Sequence, residues 1–163
     1  MTQGITQTQP GDKLWGYIER HSPQTVQYMT DPSDDGDYRC FVAVDEHDAF
    51  MGLCVVDIGR LGFGPLADQT VACLENILVL EGHRRRGTGS ALLQTALAAA
   101  WELGSAHVWW TVEYENTGAI GFYLANGAVF IAEEDPDSEA PERYYTVVIP
   151  NPKRHETTQM PTR

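Results

Sequence analysis

Residues 83–90 read His83-Arg84-Arg85-Arg86-Gly87-Thr88-Gly89-Ser90 and lie between an apolar run, Leu74 to Leu80, and an alanine- and leucine-rich segment that begins at Ala91. This order predicts a strand that leads through a basic, glycine-rich turn into a helix. Such a turn suits a phosphate group, because glycines let several backbone N–H groups converge on one anion. The helix N-terminus adds partial positive charge, and arginines add charged donors. We therefore predict a binding site for a phosphorylated cofactor.

The spacing within this turn distinguishes it from two common phosphate loops. A Walker loop needs a lysine after its second glycine, but Thr88 follows Gly87. A dinucleotide-binding fingerprint needs a third glycine after Gly87 and Gly89, and Leu92 occupies that place. What remains is Arg84-x-x-Gly87-x-Gly89 between a strand and a helix, which resembles the pyrophosphate loop of the GNAT-type N-acetyltransferases. The alternative is a solvated basic turn.

The composition fits one domain and excludes several classes of partner. The chain has 163 residues, of which 42% are apolar, which is enough for a core of its own. We predict one domain over residues 1–150 and a polar, flexible tail over residues 151–163. The net charge of −12 argues against nucleic acid and anionic membranes, because both require a basic surface. The arginine cluster is therefore predicted to be a local site.

The cysteines and the hydropathy indicate the compartment. The three cysteines are odd in number and lack CxxC spacing, and no apolar segment at the start of the chain suggests export. No apolar run approaches the roughly 20 residues that a membrane-spanning helix needs. We expect a reduced, cytoplasmic protein that does not bind membranes.

Hydrophobic periodicity predicts the remaining secondary structure. Strands are predicted at Ile5–Thr8, Tyr38–Asp45, Met51–Ile58, Val71–Leu80, Ala106–Val112, Ala128–Ala132 and Tyr144–Ile149. Helices are predicted from the Pro10-Gly11-Asp12 turn to about Arg20, over Pro23–Met29, from the phosphate loop to Leu103, and over Asn116–Ala125. Loops are predicted at Asp31–Asp37, Gly59–Gln69 and Glu133–Glu142, the first and last of them rich in acids.

A second motif lies well away from the phosphate loop. Asn116 is followed three residues later by Ala119, then by the aromatic pair Phe122-Tyr123, and then by Gly127 before an apolar–aromatic strand. This pattern is also similar to the GNAT family, so the resemblance extends along nearly the whole chain. It implies an α/β (α+β) GNAT fold, with a single mixed, mostly antiparallel sheet of about six to seven strands flanked by about four helices.

The resemblance also implies how acetyl-CoA binds. The pyrophosphate is expected on backbone N–H groups of the loop, with the pantetheine arm paired to the preceding strand like an added strand. Asn116 is expected to contact the arm and Phe122 to pack beside it, although Asn116 equally suits the role of N-cap of the following helix. The implied cofactor-binding residues are Leu78, Val79, Leu80, Arg84, Arg85, Arg86, Gly87, Thr88, Gly89, Ser90, Asn116, Phe122 and Tyr123.

The implied reaction is direct transfer of the acetyl group from a thioester to a primary amine through a tetrahedral intermediate. Tyr123 lies at the family's usual general-acid position, and a phenol with a pKa of about 10 is protonated at neutral pH. A backbone N–H at the end of the strand, that of Val79 or a neighbour, is expected to stabilise the oxyanion. A buried structural tyrosine is the alternative role for Tyr123.

The general base is open at the level of sequence. Glu75 is the charged residue of the run Val71–Leu80, and period-two alternation places it on one face with Cys73 and Ile77. A carboxylate on an apolar face must be paired, raised in pKa or exposed to a cleft, and each of these suits a base. Glu113, beside the second motif, and a chain of waters are the rival candidates.

The acceptor is the least determined part of the prediction. The acidic loops Asp31–Asp37 and Glu133–Glu142 could attract a cationic amine such as a polyamine, an aminoglycoside or a lysine-bearing peptide, or serve solubility alone. The five histidines lack metal-ligand spacing, so no metal is expected. Alternatives to a small-molecule enzyme are an inactive acyl-CoA-binding module and a protein or peptide N-acetyltransferase. A homodimer is possible, because dimers are common in the family.

Overall fold

The computed structural model describes residues 4–62, 68–133 and 144–154, and these residues contain four α-helices and seven strands. The helices are α1 (Trp15–His21), α2 (Pro23–Thr30), α3 (Thr88–Glu102) and α4 (Thr117–Ala125). The strands are β1 (Gly4–Thr8), β2 (Asp37–Val44), β3 (Phe50–Leu61), β4 (Thr70–Val79), β5 (His107–Glu113), β6 (Val129–Glu133) and β7 (Tyr144–Pro150).

The described strands form one seven-stranded sheet in the order β1-β2-β3-β4-β5-β7-β6. Every neighbouring pair is antiparallel except β4 and β5, which run parallel. A parallel pair needs a crossover connection, and α3 supplies it. The predicted mixed, mostly antiparallel sheet with four helices is therefore confirmed.

Each face of the sheet has its own apolar layer. On one face, here called the α3 face, Leu92, Leu93 and Ala96 of α3 pack against Val56 of β3 and Leu74 of β4. On the opposite face, here called the α1 face, Trp15 and Ile18 of α1 pack against Val42, Leu53 and Val55. Because strand side chains alternate between faces, β2 to β4 contribute to both layers.

Helix α3 follows from its sequence. Leu92, Leu93, Ala96, Leu97 and Ala100 recur at three- and four-residue intervals, and all five are buried. Gly87 is the N-cap with a left-handed φ of 85°, a conformation that costs other L-residues free energy because their Cβ crowds the backbone.

Strand β4 contains a bulge at its centre. Asn76 pairs with Val55 of β3 and Leu74 with Val56, so Glu75 has no directly opposite residue on β3. The bulge reverses the side-chain alternation. Leu74 and Ile77 both pack in the α3-face layer, whereas Leu78 packs in the α1-face layer. The predicted shared face of Glu75 and Ile77 is therefore wrong, because period-two alternation holds only where the pleat is uninterrupted.

Strands β4 and β5 separate soon after they meet. Their ladder comprises Ala72 with Val108 and Cys73 with Trp109, although β4 continues to Val79. Beyond Cys73 the sheet therefore opens into a wedge between the second half of β4 and the end of β5.

Among the boundaries that differ from the predictions, two have a structural cause, the end of β3 and the start of the tail. Strand β3 extends to Leu61 instead of ending at Ile58, because Gly59 adopts a φ of 90° and the strand resumes pairing at Arg60 after a register shift. Residues 151–154 are attached to the domain, since Asn151 is buried and its Nδ2 donates to the Ser105 carbonyl at 2.9 Å. A polar segment remains attached to a domain where its side-chain amide forms hydrogen bonds with buried backbone groups. The predicted acidic loop after Glu133 and the tail from residue 155 lie outside the described residues.

Candidate active site

A groove of about 780 Å³ lies on the α3 side of the wedge, between the end of β4, the start of α3 and helix α4. This volume is within the usual range for a small-molecule site, about 300–1,000 Å³. Its lining combines apolar side chains, two arginines and glycine backbone. Ten predicted residues line it, namely Leu78, Val79, Arg84, Arg85, Gly87, Gly89, Ser90, Asn116, Phe122 and Tyr123.

The loop at one end of the groove has the backbone of an anion site. Arg85 has a left-handed φ of 60° and Gly87 one of 85°, and α3 begins at the next residue. Left-handed residues next to right-handed ones turn successive N–H groups toward a common concavity. The Arg84 Nε donates to the Val79 carbonyl at 2.9 Å, which fixes that side chain to the end of β4. The loop therefore combines converging backbone donors, a helix N-terminus and arginine charge.

Three predicted cofactor residues do not line the groove. The Leu80 N–H donates to the Met51 carbonyl at 3.0 Å, and the Leu80 carbonyl accepts from the His83 N–H at 2.9 Å. Thr88 is buried beneath the loop, with 1% of its surface exposed, and Arg86 is on the exposed surface. The backbone groups of Leu80 are therefore engaged within the chain.

The hydrogen bonding of β4 determines which of its backbone groups face the wedge. In an antiparallel ladder, alternate residues direct their N–H and C=O groups toward the same neighbour. Because the Leu80 N–H bonds to Met51 of β3, this alternation makes Leu78 the next residue bonded to β3. Ile77 and Val79 then direct their backbone groups toward the side from which β5 has separated. Both residues line the groove, and sequence reasoning had not included Ile77.

Helix α4 forms the opposite wall, and two asparagines hold it. Asn116 is its N-cap, since its Oδ1 accepts from the Ala119 N–H at 3.1 Å. Asn126 follows its last turn and donates from Nδ2 to the Phe122 carbonyl at 2.8 Å and to the Ser90 Oγ at 3.2 Å. The capping alternative for Asn116 is confirmed. The predicted helix ends at Ala125 and gives Asn126 no role, because its contact with Ser90 joins positions 36 apart in sequence.

Tyr123 lies where the groove meets the α3-face layer. Only 8% of its surface is exposed, and its ring packs edge-on against Trp110, with centroids 4.6 Å apart. Burial raises the pKa of Tyr123 to about 12, because the phenolate is poorly solvated there. The phenol is therefore protonated at neutral pH and able to donate a hydrogen bond or a proton.

A second, smaller cleft of about 300 Å³ lies on the α1 face of the sheet. Its described lining comes from the start of α2 and from the β4 bulge, namely Ser22, Gln24, Thr25, Tyr28, Glu75 and Asn76. Along β4, Glu75 and Asn76 of this cleft directly precede Ile77 and Leu78 of the groove. Because consecutive strand residues rise only about 3.3 Å each, the two pairs lie close together. The two cavities therefore approach each other from opposite faces at the wedge.

Glu75 is the carboxylate that lines the described part of this cleft. Partial burial raises its pKa above the ordinary glutamate value, because desolvation disfavours the carboxylate. The neighbouring Asp57 raises it further, whereas a hydrogen bond with Cys73 and the positive charge of Arg60 lower it. The carboxyl is thus accessible and less acidic than a surface glutamate.

Glu113 lies at the end of β5, opposite Tyr144 of β7. Its side chain is exposed, and it lines neither cavity. The structure therefore brings Glu75 to a cavity at the wedge and leaves Glu113 at its outer margin.

A polar cluster extends from Glu75 toward the end of β3. Asp57 is fully buried, and it accepts from the Arg60 Nε and from the Asp37 N–H at 2.9 Å. Arg60 also donates to the Tyr38 hydroxyl at 3.1 Å, and that hydroxyl donates to Asp34 at 2.9 Å. Arg60 thus forms ion pairs with Asp57 and, at 3.6 Å, with Asp34, and its charge also acts on Glu75. The described surroundings of the small cleft are acidic.

A mixed sheet that opens into a wedge, with a glycine- and arginine-rich loop between β4 and α3, is the architecture that the sequence resemblance implies. The chain belongs to the acetyltransferase (GNAT) family, whose family model matches residues 8–128. The predicted family is therefore confirmed, and acetyl-CoA is the acetyl donor that this family uses.

Individual relatives agree with this assignment. Streptothricin acetyltransferase from Streptomyces lavendulae is 33% identical over 97 residues, which is 60% of this chain and 48% of the relative. The chain thus spans about half the length of that curated relative. The crystal structure of nourseothricin acetyltransferase superposes with a TM-score of 0.65 at 22% identity, covering 93% of this chain and 100% of that one. Arabidopsis thaliana NAA60 in complex with acetyl-CoA gives a TM-score of 0.65 at 17% identity, covering 90% and 97%.

No group of three or more His, Cys, Asp or Glu side chains within residues 4–62, 68–133 and 144–154 is arranged to hold a metal ion. No helix in the same ranges is long and apolar enough to cross a membrane.

Proposed function

We propose that this protein transfers an acetyl group from acetyl-CoA to a primary amine, with the donor in the large groove and the acceptor in the small cleft. The observation that carries the proposal is the wedge between β4 and β5, at which the two cavities approach from opposite faces. In this arrangement each substrate enters from its own face of the sheet, and the two are held next to each other at the wedge. Holding both in place reduces the entropic cost of bringing them together.

The groove residues fit the parts of acetyl-CoA. The backbone N–H groups from Arg85 to Ser90 and the charge of Arg85 suit the pyrophosphate. The backbone N–H and carbonyl of Ile77 suit the amides of the pantetheine arm, which add to an unpaired strand edge, whereas the Val79 carbonyl already accepts from the Arg84 Nε. Phe122 supplies an apolar wall beside that edge. We place no pantetheine contact on Leu80, because its N–H and carbonyl bond to Met51 and His83.

In passing from ammonium to amide the acceptor nitrogen loses two protons, of which the departing sulfur gains the equivalent of one and solvent receives the other, and the oxyanion formed during the attack needs stabilisation. The amine nitrogen attacks the acetyl carbonyl carbon, a C–N bond forms, and the C–S bond to CoA breaks. The Val79 N–H suits the oxyanion that develops during the attack, since it faces the wedge. Tyr123, whose pKa burial raises to about 12, donates a proton or a hydrogen bond to the departing sulfur.

Glu75 is the residue that we assign as the base. Ammonium groups have a pKa of about 10, so most acceptor molecules carry a proton that must be removed at neutral pH. The raised pKa of Glu75 suits this task, because a base works best when its pKa approaches the working pH. A water between Glu75 and the amine is compatible with this role.

The acceptor is proposed to be a cationic amine. The cleft is bordered by the carboxylates of Glu75 and, farther along the sheet, Asp57 and Asp34, with Arg60 as the described cation among them. A negative surround raises the local concentration of cations. Streptothricin, which the relative from Streptomyces lavendulae is named for, is therefore the first acceptor to test, followed by polyamines and peptides with a free amine.

The deciding experiment measures free thiol release from acetyl-CoA with each acceptor in turn. We expect acceptor-dependent thiol release and a product heavier by one acetyl group, detected by mass spectrometry. Binding of acetyl-CoA without release for any acceptor in a broad panel would instead support an inactive acyl-CoA-binding module. Absence of both binding and release would contradict the proposed site as a whole.

A further inference from the structure

Ser22 is the single residue between α1 and α2, and its side chain is almost completely buried, with 1% exposed. Its N–H donates to the Ile18 carbonyl of α1 at 2.8 Å, and its own carbonyl accepts from the Thr25 N–H of α2 at 3.0 Å. Ser22 therefore sets the angle at which the chain leaves one helix and enters the next.

The side chain of Ser22 connects this junction to the sheet. Its Oγ accepts from Asn76 Nδ2 at 2.8 Å, across a sequence separation of 54 residues. The same Oγ lies 2.8 Å from the Thr25 Oγ1, in a buried hydrogen bond. Asn76 belongs to the β4 bulge and directly follows Glu75. A chain of three polar side chains thus runs from α2 through the helix junction to the bulge.

Stability alone is a weak explanation for this set of three hydrogen-bonded side chains. Elsewhere on the same strand, Leu78 contacts the α1-face layer through apolar packing. A hydrogen bond contributes only about 1 kcal/mol net to stability, so an apolar contact would serve as well. Hydrogen bonds differ from apolar contacts in being directional, and they fix orientation as well as distance. The three hydrogen-bonded residues, Ser22, Thr25 and Asn76, also line the small cleft.

We propose that Ser22 and Asn76 are positioning residues that hold the helix junction against the β4 bulge and so orient the Glu75 carboxyl toward the acceptor. This inference rests on the proposed function, since it assigns residues to the acceptor side of that reaction. The hydrogen bond between Ser22 and Asn76 would then also maintain the width of the acceptor cleft. Thr25 supports the pair from the first turn of α2.

Several ionisable groups lie around Glu75, and four of them influence its pKa. On its own strand Cys73 shares a hydrogen bond with it, and on β3 Asp57 and Arg60 act on its charge. Asp34 contributes from the segment before β2, and the phenol of Tyr28 lines the same cleft from α2. A shift of the bulge would change the distances from Glu75 to these groups and to solvent.

The test compares Ser22→Ala, Asn76→Ala and the double variant with a matched control, Ser105→Ala. Ser105 is likewise a fully buried serine, but it lies between α3 and β5, lines neither cavity, and its hydroxyl has no partner among the described residues. For each protein we would measure the melting temperature, the Kd for acetyl-CoA, and kcat/KM for the acceptor against pH. A carbon-13 NMR titration of glutamate carboxyls, with Glu75→Gln to assign the signal, reports on Glu75 without requiring turnover.

The expected result separates positioning from stability. Each single variant should lose on the order of tenfold or more in acceptor kcat/KM, because a small misplacement at a reacting centre is costly. The double variant should lose little more than either single one, because the two residues act through one bond. The Kd for acetyl-CoA should change by less than about twofold, and the Glu75 titration should move toward the ordinary glutamate pKa. Ser105→Ala should leave all of these unchanged.

Two results would overturn the inference. Variants that melt at lower temperature but keep the wild-type acceptor kcat/KM and pH profile would show that the bond is only structural. An unchanged Glu75 titration in Ser22→Ala would contradict the positioning role even if no acceptor were found, because the NMR measurement needs none. Failure of the proposed function would differ from both, since wild type would then release no acceptor-dependent thiol while the Glu75 titration still responded to Ser22→Ala. Thr25→Val, which removes a hydroxyl with little change of volume, provides a milder variant if the others fold poorly.

Discussion

The two cavities at the wedge are built in different ways. The loop end of the large groove comes from one continuous segment, residues 84–90, in which glycine, arginine and a helix start follow one another. The small cleft is assembled from two distant segments, the start of α2 and the β4 bulge, joined by the bond between Ser22 and Asn76. The first depends on local backbone conformation, and the second on tertiary contacts.

This difference has a consequence for how each cavity can change. A site made of backbone N–H groups tolerates many side-chain substitutions, because each residue contributes the same donor. A cleft lined by side chains changes its chemistry with every substitution. We therefore expect the donor side to be robust and the acceptor side to be specific, and the following variants test that expectation in order of decreasing effect.

Tyr123→Phe is expected to have the largest effect. Loss of the phenol hydroxyl should lower kcat by roughly 10²–10³-fold, which is within the range for removal of a general acid. The Kd for acetyl-CoA should remain near the wild-type value, since the ring keeps its contact with Trp110. Thiol release and acetyl-CoA titration would measure the two quantities. Full activity in this variant would show that Tyr123 is only a structural residue.

Glu75→Gln should lower acceptor kcat/KM by about 10²-fold, again as expected for loss of a general base. Its effect should depend on pH in a defined direction. The wild-type rate should fall as pH decreases through the raised pKa of Glu75, because only the carboxylate accepts a proton, and this acidic limb should disappear in the variant. Glu113→Gln is the control. If Glu113→Gln rather than Glu75→Gln removes the limb, the base is Glu113.

Gly87→Ala tests the backbone of the donor site. An alanine at a φ of 85° costs about 1–2 kcal/mol, which corresponds to roughly a 5–30-fold weaker Kd for acetyl-CoA if the strain is relieved by moving the loop. Gly104→Ala is the matched control, because Gly104 has a φ of 86° and open space around it but lies at the end of α3. Both variants should lose stability, and only Gly87→Ala should lose affinity.

Arg85→Gly should have the smallest effect. Glycine relieves the left-handed strain at a φ of 60° and should raise the free energy of unfolding by about 1 kcal/mol, measured by denaturant titration. The loss of charge should weaken acetyl-CoA binding several-fold, more so at low salt. Arg86→Ala, which removes a charge outside the groove lining, should have less effect on Kd. Equal effects would indicate that the arginines act through overall charge and not through the groove.

Much of the fold, and ten of the residues that line the large groove, could be predicted from the sequence, because both depend on local patterns. The helix α3, the strands β2 and β3, and the order of the elements are confirmed by the structure. The Glu75 bulge could not be predicted, since it depends on how β4 registers against β3. The same bulge made the predicted face of Ile77 wrong and placed Asn76 against Ser22.

The sequence by itself determined the class of this protein through Arg84-x-x-Gly87-x-Gly89 and the Asn116–Phe130 motif. Those signals are local, because the backbone N–H donors of a turn with a left-handed glycine and a helix N-terminus come from a few consecutive residues. Only the tertiary structure decided that Leu80 is engaged with Met51, that Asn126 holds α4 to Ser90, and that Glu75 faces a cleft. These features depend on contacts between distant segments, and such contacts are established only when the chain packs around one sheet.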